Sequence, residues 1–247
     1  MQPGLRGAIF DVDGVLVDSP HERAWRETLQ QLMETRWSDI SSEYSPERFT
    51  SRVYQNVVSG KPRLSGARAA LEHFDVPDAA SRAPVYAELK QERVAALIRA
   101  GEFQPFQDAL RFVLALAGRG LRVAAASSSK NAGLMLGEIR VDASGRRLRE
   151  VFAADLSGRD FARGKPDPEI FLAAGEALGL APEECFVVED AVAGVEAAKA
   201  GGMAALGVAR ADDAELLAAA GADLVVTTLD DVDLDLLAEG RLATRSP

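Results

Sequence analysis

Short apolar runs recur along the chain, and each is apolar on both faces instead of alternating. They are Leu5 to Phe10, with a strand expected at Gly7 to Phe10, then LRVAAAS (121–127), CFVVED (185–190), AALGVAR (204–210) and ADLVVTT (222–228). Unalternating runs of this kind mark parallel strands covered by helices on both faces. Helix-like segments separate them. Pro168 to Leu178 carries Ile170, Phe171, Ala174 and Leu178 on one stripe, with Pro166 and Pro168 at its start and Gly179 as its stop. Ala191 to Ala200 ends at Gly201 and Gly202, and Asp212 to Ala220 ends at Gly221. Helix, glycine, strand in repetition predicts right-handed βαβ units and an open α/β sheet.

The pattern changes between about Pro20 and Gly101. No buried strand is evident there, and helical stretches are expected at about 21–36, 46–58, 64–74 and 81–99. The sheet pattern resumes only after Pro105. The chain therefore reads as an α/β core domain made of 1–19 and 101–247, with a helical domain, 20–100, inserted after the first strand. An insertion there would stand over the crevice where open α/β sheets bind ligands, and would act as a mobile lid. No internal repeat is visible, and the polar tail from Gly240 to Pro247 is expected to fray.

Composition narrows the classes. The 247 residues are 47% hydrophobic and 27% charged, which is ordinary globular material. A formal net charge of -10 argues against nucleic acid as a partner, since there is no basic footprint to meet a phosphate backbone. It leaves room for a small phosphorylated substrate, whose charge one Lys or Arg can meet locally. Cys185 is the only cysteine, so no intramolecular disulfide can form, and a cytoplasmic location is expected. Its place in CFVV is that of a buried strand residue. No signal peptide is visible, and LLAAAGADLVVTTL is broken by Gly221 and Asp223, so no membrane span is expected. A monomer or small homo-oligomer fits this picture.

Four segments carry candidate chemistry. FDVDG (10–14) places Asp11 and Asp13 one residue apart just after a strand, with Gly14 to relax the turn. VVEDAVAG (187–194) ends another strand in Glu189 and Asp190. Either segment alone also reads as a solvated acidic turn, and Asp190 also as a helix cap. Together they would bring several carboxylates to one sheet edge, which is costly without a divalent cation such as Mg2+. ASSSKN (126–131) offers Ser127, Ser129, Lys130 and Asn131 at the start of a helix, suited to phosphate or to simple capping. RGKPDP (163–168) holds Lys165 before Pro166, placed to neutralise a phosphoryl group or to sit in an ordinary turn.

In this order, FDVDGVLVDS, ASSSKN, GKPDP and VVEDAVAG resemble the motifs of the haloacid dehalogenase-like superfamily, in the branch with a helical cap after the first motif. Within that branch the chain is similar to β-phosphoglucomutase-like phosphatases and mutases. The resemblance implies a Rossmann-like parallel sheet with helices on both faces plus an inserted α-helical cap. It also implies Mg2+ and transfer of a phosphoryl group through an aspartyl-phosphate. Asp11 matches the nucleophile and Asp13 the general acid/base, whose carbonyl also meets the metal. Ser127 matches the hydroxyl on the phosphoryl oxygens, and Lys165 the lysine that balances charge. Asp190 completes the metal site beside Glu189. Ser129, Lys130 and Asn131 match a segment that holds a non-transferring phosphate in the mutases.

Two departures stand out. The mutases carry a histidine at the spacing where this chain has Arg23, and His21 comes earlier in DSPHERAW. His21 either substitutes for that histidine or is an ordinary first-turn residue. The cap carries SGKPRLSG (59–66), whose Lys61 and Arg63 either meet a second anionic group or form a basic surface turn. These differences favour a phosphatase of a small phosphorylated metabolite, with a sugar-phosphate mutase as the alternative. A non-catalytic phosphate- or metal-binding protein is the reading from another class.

Overall fold

The computed structural model describes residues 4–245, so the last two residues of the tail expected to fray lie outside it. Two compact units emerge: Ser19–Phe103, and the chain up to Asp18 joined with the chain from Gln104 onward. The strands in chain order are β1 (Gly7–Phe10), β2 (Val17–Asp18), β3 (Gln104–Pro105), β4 (Arg122–Ala125), β5 (Ala154–Asp155), β6 (Cys185–Glu189), β7 (Ala204–Val208) and β8 (Leu224–Val226). Six of them form one sheet in the order β5-β4-β1-β6-β7-β8, with every pairing parallel. This is the Rossmann-like sheet that the apolar runs indicate. Three strands have no counterpart among those runs. β5 is two residues long, too short to show a pattern. The two-residue strands β2 and β3 pair antiparallel, Val17 against Pro105 and Asp18 against Gln104, where the chain leaves and re-enters the sheet unit.

Register decides which residues meet. Phe10 lies between Ala125 of β4 and Val188 of β6. The Asp11 N–H donates to the Val188 carbonyl at 3.0 Å and the Ala126 N–H to the Phe10 carbonyl at 2.8 Å. The next residues of all three strands therefore emerge together at one edge. Beneath them the sheet is packed on both faces. Ile9, Ala124 and Val187 join Ile170, Phe171 and Ala174 of helix Glu169–Leu178 and Val195 and Ala198 of helix Val192–Ala200. On the other face Phe10 meets Phe112 of helix Gln107–Gly118 and Phe152, with ring centroids 6.1 and 6.2 Å apart. Each such ring contributes about 1.5–3 kcal/mol by leaving water, and this is what makes the edge above it rigid.

The helical unit has its own core. Trp25, Leu29 and Leu32 of helix His21–Glu34 pack with Ala67, Ala70 and Leu71 of helix Arg63–His73 and with Ala83 and Tyr86 of helix Ala79–Arg99. Its ring contacts include Trp25 on Tyr86 at 5.0 Å and Phe49 stacked on Phe74 at 5.6 Å. The single helix expected over 46–58 is not formed. Instead there is a 3-10 turn at Pro46–Arg48, a short helix at Ser51–Val53 and a wider turn at Tyr54–Val58 closed by Ser59 N–H on the Tyr54 carbonyl. The break falls at Phe49, which is buried with a non-helical backbone, and at Thr50, whose hydroxyl caps the Val53 N–H at 3.2 Å. Burial of one aromatic ring overrides the local helical pattern.

Candidate active site

Lys165 is the centre of the site. Its side chain is almost fully buried, and Nζ donates to Asp11 Oδ1 and to Glu189 Oε1 at 2.5 Å each. The ammonium also lies 4.8 Å from the Phe171 ring centroid. Phe171 therefore fills the space beneath the lysine and leaves it no route to solvent on that side. The second Glu189 oxygen accepts the N–H groups of Asp190 (3.0 Å) and Ala191 (3.1 Å). Both oxygens of Glu189 are thus used in holding Lys165 and the turn after β6.

Two glycines make this fit. A Cβ at Gly194, in the helix after β6, would overlap the Glu189 carboxyl, so only glycine lets the carboxylate lie against the helix. Gly14 has φ +89°, and a Cβ there would overlap the Asp190 carboxyl. Asp190 therefore rests on the backbone of the loop that follows β1. Close approach and positive φ both call for glycine at that position.

The charge balance is uneven. Asp11, Glu189 and Asp190 are buried beside one lysine. Burial alone raises the Asp11 carboxyl, Lys165 opposes this, and neighbouring Asp13 adds to it, so the net shift is upward. Glu189 is raised for the same first reason, with Lys165 again opposing. Burial works against the Lys165 ammonium, yet Asp11 and Glu189 outweigh it and hold the lysine firmly charged. A desolvated cluster of this kind costs several kcal/mol per ion unless its partners are well placed.

Asp13 and Ser127 complete the edge. The Ser127 hydroxyl donates to Asp13 Oδ2 at 3.4 Å and accepts the Ser129 N–H at 3.1 Å. Asp11, Asp13, Ser127, Lys165, Glu189 and Asp190 therefore lie around one end of the sheet. Ser129 turns inward on its own loop, taking the Asn131 N–H at 3.3 Å. Lys130 is exposed and pairs with Asp160 at 3.0 Å.

The candidates in the helical unit are spread out. His21 opens the first helix, with Nδ1 2.5 Å from Nζ of buried Lys90. Burial, reinforced by the Lys90 charge, holds the imidazole well below its ordinary range and so neutral. Lys61 donates to the Val57 carbonyl at 2.7 Å, and Arg63 is an exposed first residue of its helix. Sequence reasoning passes over Lys90. Its signal is a lysine on the stripe Ala83, Tyr86, Ala87, Lys90, Val94, Ile98 that the longest helix buries. Lysine on such a stripe is rare without a partner.

Among the described residues, no group of three or more His, Cys, Asp or Glu side chains is arranged to enclose a metal ion. The donor set nevertheless fits magnesium. Mg2+ takes one or two carboxylates and completes its shell with water and substrate phosphate, instead of using a closed protein cage. The buried excess of carboxylate over lysine at this edge is the charge such an ion would balance.

Comparison with known proteins places the chain in a family. Residues 5–202 match the haloacid dehalogenase-like hydrolase family. The beta-phosphoglucomutase of Mycobacterium bovis is 33% identical over 240 residues, covering 91% of this chain and 90% of that one. A phosphorylated carbohydrates phosphatase of Thermotoga maritima is 28% identical over 225 residues, covering 90% and 94%. Among solved structures, an archaeal beta-phosphoglucomutase from a hyperthermophilic Pyrococcus superposes with a TM-score of 0.71 at 30% identity, over 94% of this chain and 96% of that one. Among the described residues no helix is long and apolar enough to cross a membrane. The chain belongs to the haloacid dehalogenase-like hydrolases, a family of enzymes, and within it is similar to the beta-phosphoglucomutase-like branch that carries an inserted helical cap.

Proposed function

We propose that the chain is a magnesium-dependent phosphatase of a small phosphorylated sugar, with Asp11 as its covalent nucleophile. The observation that carries this reading is the buried Lys165 ammonium on Asp11 Oδ1, which orients the carboxylate and leaves Oδ2 as the attacking atom. Oδ2 attacks phosphorus, and the bond from phosphorus to the ester oxygen breaks. Protonated Asp13 gives its proton to that oxygen, so the sugar departs as an alcohol and an aspartyl-phosphate remains on Asp11. Asp13, now a carboxylate, then takes a proton from water while the water oxygen attacks phosphorus. The bond to Asp11 breaks, phosphate leaves and both aspartates are restored.

The remaining residues hold charge and position. Ser127 donates to the phosphoryl oxygens, and Lys165 offsets the charge of nucleophile and phosphate. Glu189 anchors Lys165 through one oxygen and the turn after β6 through the other. Asp11, Asp190 and the Asp13 carbonyl would hold Mg2+. When bound, the metal draws charge from the phosphoryl oxygens. Lys61, Arg63 and His21 belong to substrate recognition by the helical unit. A reducing compartment such as the cytoplasm suits the single buried thiol.

A second reading is a sugar-phosphate mutase. It is favoured by similarity to beta-phosphoglucomutases over nine-tenths of the chain. Asp13 would then deprotonate a second sugar hydroxyl in place of water, and Ser129, Lys130 and Asn131 would hold the phosphate that is not transferred. A phosphate-release screen over sugar phosphates, with the product sugars identified, separates the two. Free phosphate as the main product supports the phosphatase. Isomerised sugar phosphate, accelerated by a sugar bisphosphate, supports the mutase. Undiminished turnover after chelation of divalent ions would sink the magnesium role.

A further inference from the structure

Arg210, just beyond β7, reaches back to the loop after β1. Its guanidinium grips Asp108 with two hydrogen bonds, Nη1 to Oδ2 at 2.8 Å and Nη2 to Oδ1 at 3.2 Å. Nη2 also donates to the Val15 carbonyl at 3.2 Å, and Nε to the Gly14 carbonyl at 3.4 Å. The guanidinium carbon lies 4.0 Å from the Phe106 ring centroid. Asp108 is held in turn by the Thr228 hydroxyl (3.2 Å) and the Leu229 N–H (2.9 Å). Both side chains of the pair are largely buried, at 14% and 10% exposure, and the proposed chemistry uses neither.

The loop that Arg210 holds is the one that carries Asp13. Its backbone bonds are Leu16 and Val17 N–H on the Val12 carbonyl, both at 3.0 Å, Gly14 N–H on the Val17 carbonyl at 2.8 Å, and one from outside the loop, Phe106 N–H on the Leu16 carbonyl at 3.0 Å, so the Gly14 and Val15 carbonyls are left to Arg210. Gly14 is also the surface on which the Asp190 carboxyl rests. A planar fork that serves a carboxylate and two carbonyls at once is a task for arginine, since lysine lacks the geometry. We propose that Arg210, set by Asp108, is a positioning residue that fixes the Gly14–Val15 backbone and through it the placement of Asp13 at the leaving oxygen. This rests on the phosphoryl-transfer reading above.

Arg210→Gln keeps the Asp108 contacts to Thr228 and Leu229, which favours retention of the fold. Should it fail to fold, Arg210→Lys retains the charge beside Asp108, lacks the fork and carries the same test. Each folded variant is assayed with an alkyl and an aryl phosphate, and amide hydrogen exchange is followed across the sheet unit. Small displacements of a catalytic group cost up to roughly 10²-fold in rate. The expected result is a fall in kcat of about 10-fold or more on the alkyl ester, with KM little changed and a loss under about 3-fold on the aryl ester, which needs little protonation. Exchange at Leu16 and Val17 should quicken while β6 stays protected, and Arg210→Lys should fall between wild type and Arg210→Gln. Equal losses on both esters, or unchanged exchange at Leu16 and Val17, would overturn the assignment. Failure of the wild type on every phosphate ester would instead defeat the phosphoryl-transfer reading itself.

Discussion

The two units of the chain treat their charged residues in opposite ways. In the sheet unit, side chains from four distant segments are drawn to one edge and locked together, with Lys165 bonded to Asp11 across 154 positions of sequence. In the helical unit, His21 is tied to Lys90, Lys61 to its own turn, and Arg63 is exposed. Parallel strands that end at the same edge supply a fixed frame on which polar groups can be held to fractions of an ångström. A helical bundle joined by irregular turns supplies a surface that can vary without disturbing that frame. The proposed function assigns chemistry to the first unit and choice of substrate to the second, and each part of this division can be broken separately.

The largest effects should come from Asp11 and Asp13. Asp11→Asn should remove the covalent intermediate and at least about 10⁴-fold of turnover, as loss of a nucleophile does elsewhere. Asp13→Asn should cost roughly 10²–10⁴-fold on an alkyl phosphate. An aryl phosphate, whose leaving group needs no proton, should recover part of that loss for Asp13→Asn and none for Asp11→Asn. If Asp13→Asn loses as much on the aryl ester as on the alkyl ester, the acid role is wrong.

Next comes Lys165. Lys165→Met should slow turnover by roughly 10²–10³-fold, the scale for removing a preorganised charge stabiliser. It should also destabilise the fold by about 3–5 kcal/mol, because two buried carboxylates lose their shared cation. Adding Glu189→Gln should return part of that stability and none of the activity. Denaturant titration beside a rate assay reads both. Recovery of activity in the double variant would contradict the role given to Lys165.

The same contrast explains what was legible in sequence. The strand ends carrying Asp11, Ser127 and Glu189 could be placed at one edge because each apolar run stops at a polar residue and parallel strands stop together. The bond between Lys165 and Glu189 could not, since Lys165 comes from a loop and the contact depends on Phe171 packing beneath the lysine and on Gly194 leaving room for the carboxylate. β2, β3 and β5 are too short for periodicity to register. In the helical unit the helical stretches stand out because no buried strand interrupts them, but buried Phe49 breaks the expected 46–58 helix through a tertiary contact that local spacing does not encode. The grip of Arg210 on Asp108 spans 102 positions and leaves no motif at either end.

A smaller effect is expected in the helical unit. Lys61→Ala or Arg63→Ala should raise KM for a substrate with a second anionic group by about 5–10-fold, with kcat nearly unchanged, as when binding common to ground and transition states is lost. A substrate without that group should be indifferent to the change. A fall in kcat on both substrates would move these residues out of recognition and into the chemistry, against the division of labour drawn above.

The smallest effect concerns His21 and is a matter of stability. Burial first, and the Lys90 charge second, hold its pKa well below 6.5 in the folded chain. The unfolded chain, with an ordinary imidazole, binds a proton near pH 6.5 that the folded chain refuses. Between the two pKa values the unfolded state therefore carries more protons, so stability rises with pH and falls as the medium is acidified below about 6.5. For one proton the slope is about 1.4 kcal/mol per pH unit at most. His21→Gln keeps an acceptor for Lys90 and removes the titration. Between pH 7 and pH 5.5 it should lose roughly 1 kcal/mol less stability than wild type in denaturant titrations, since the carboxylates common to both chains cancel in the difference. Parallel losses in the two chains would mean that His21 is open to solvent and takes up its proton freely, and the His21–Lys90 pair would then no longer count as a fixed feature of the helical unit.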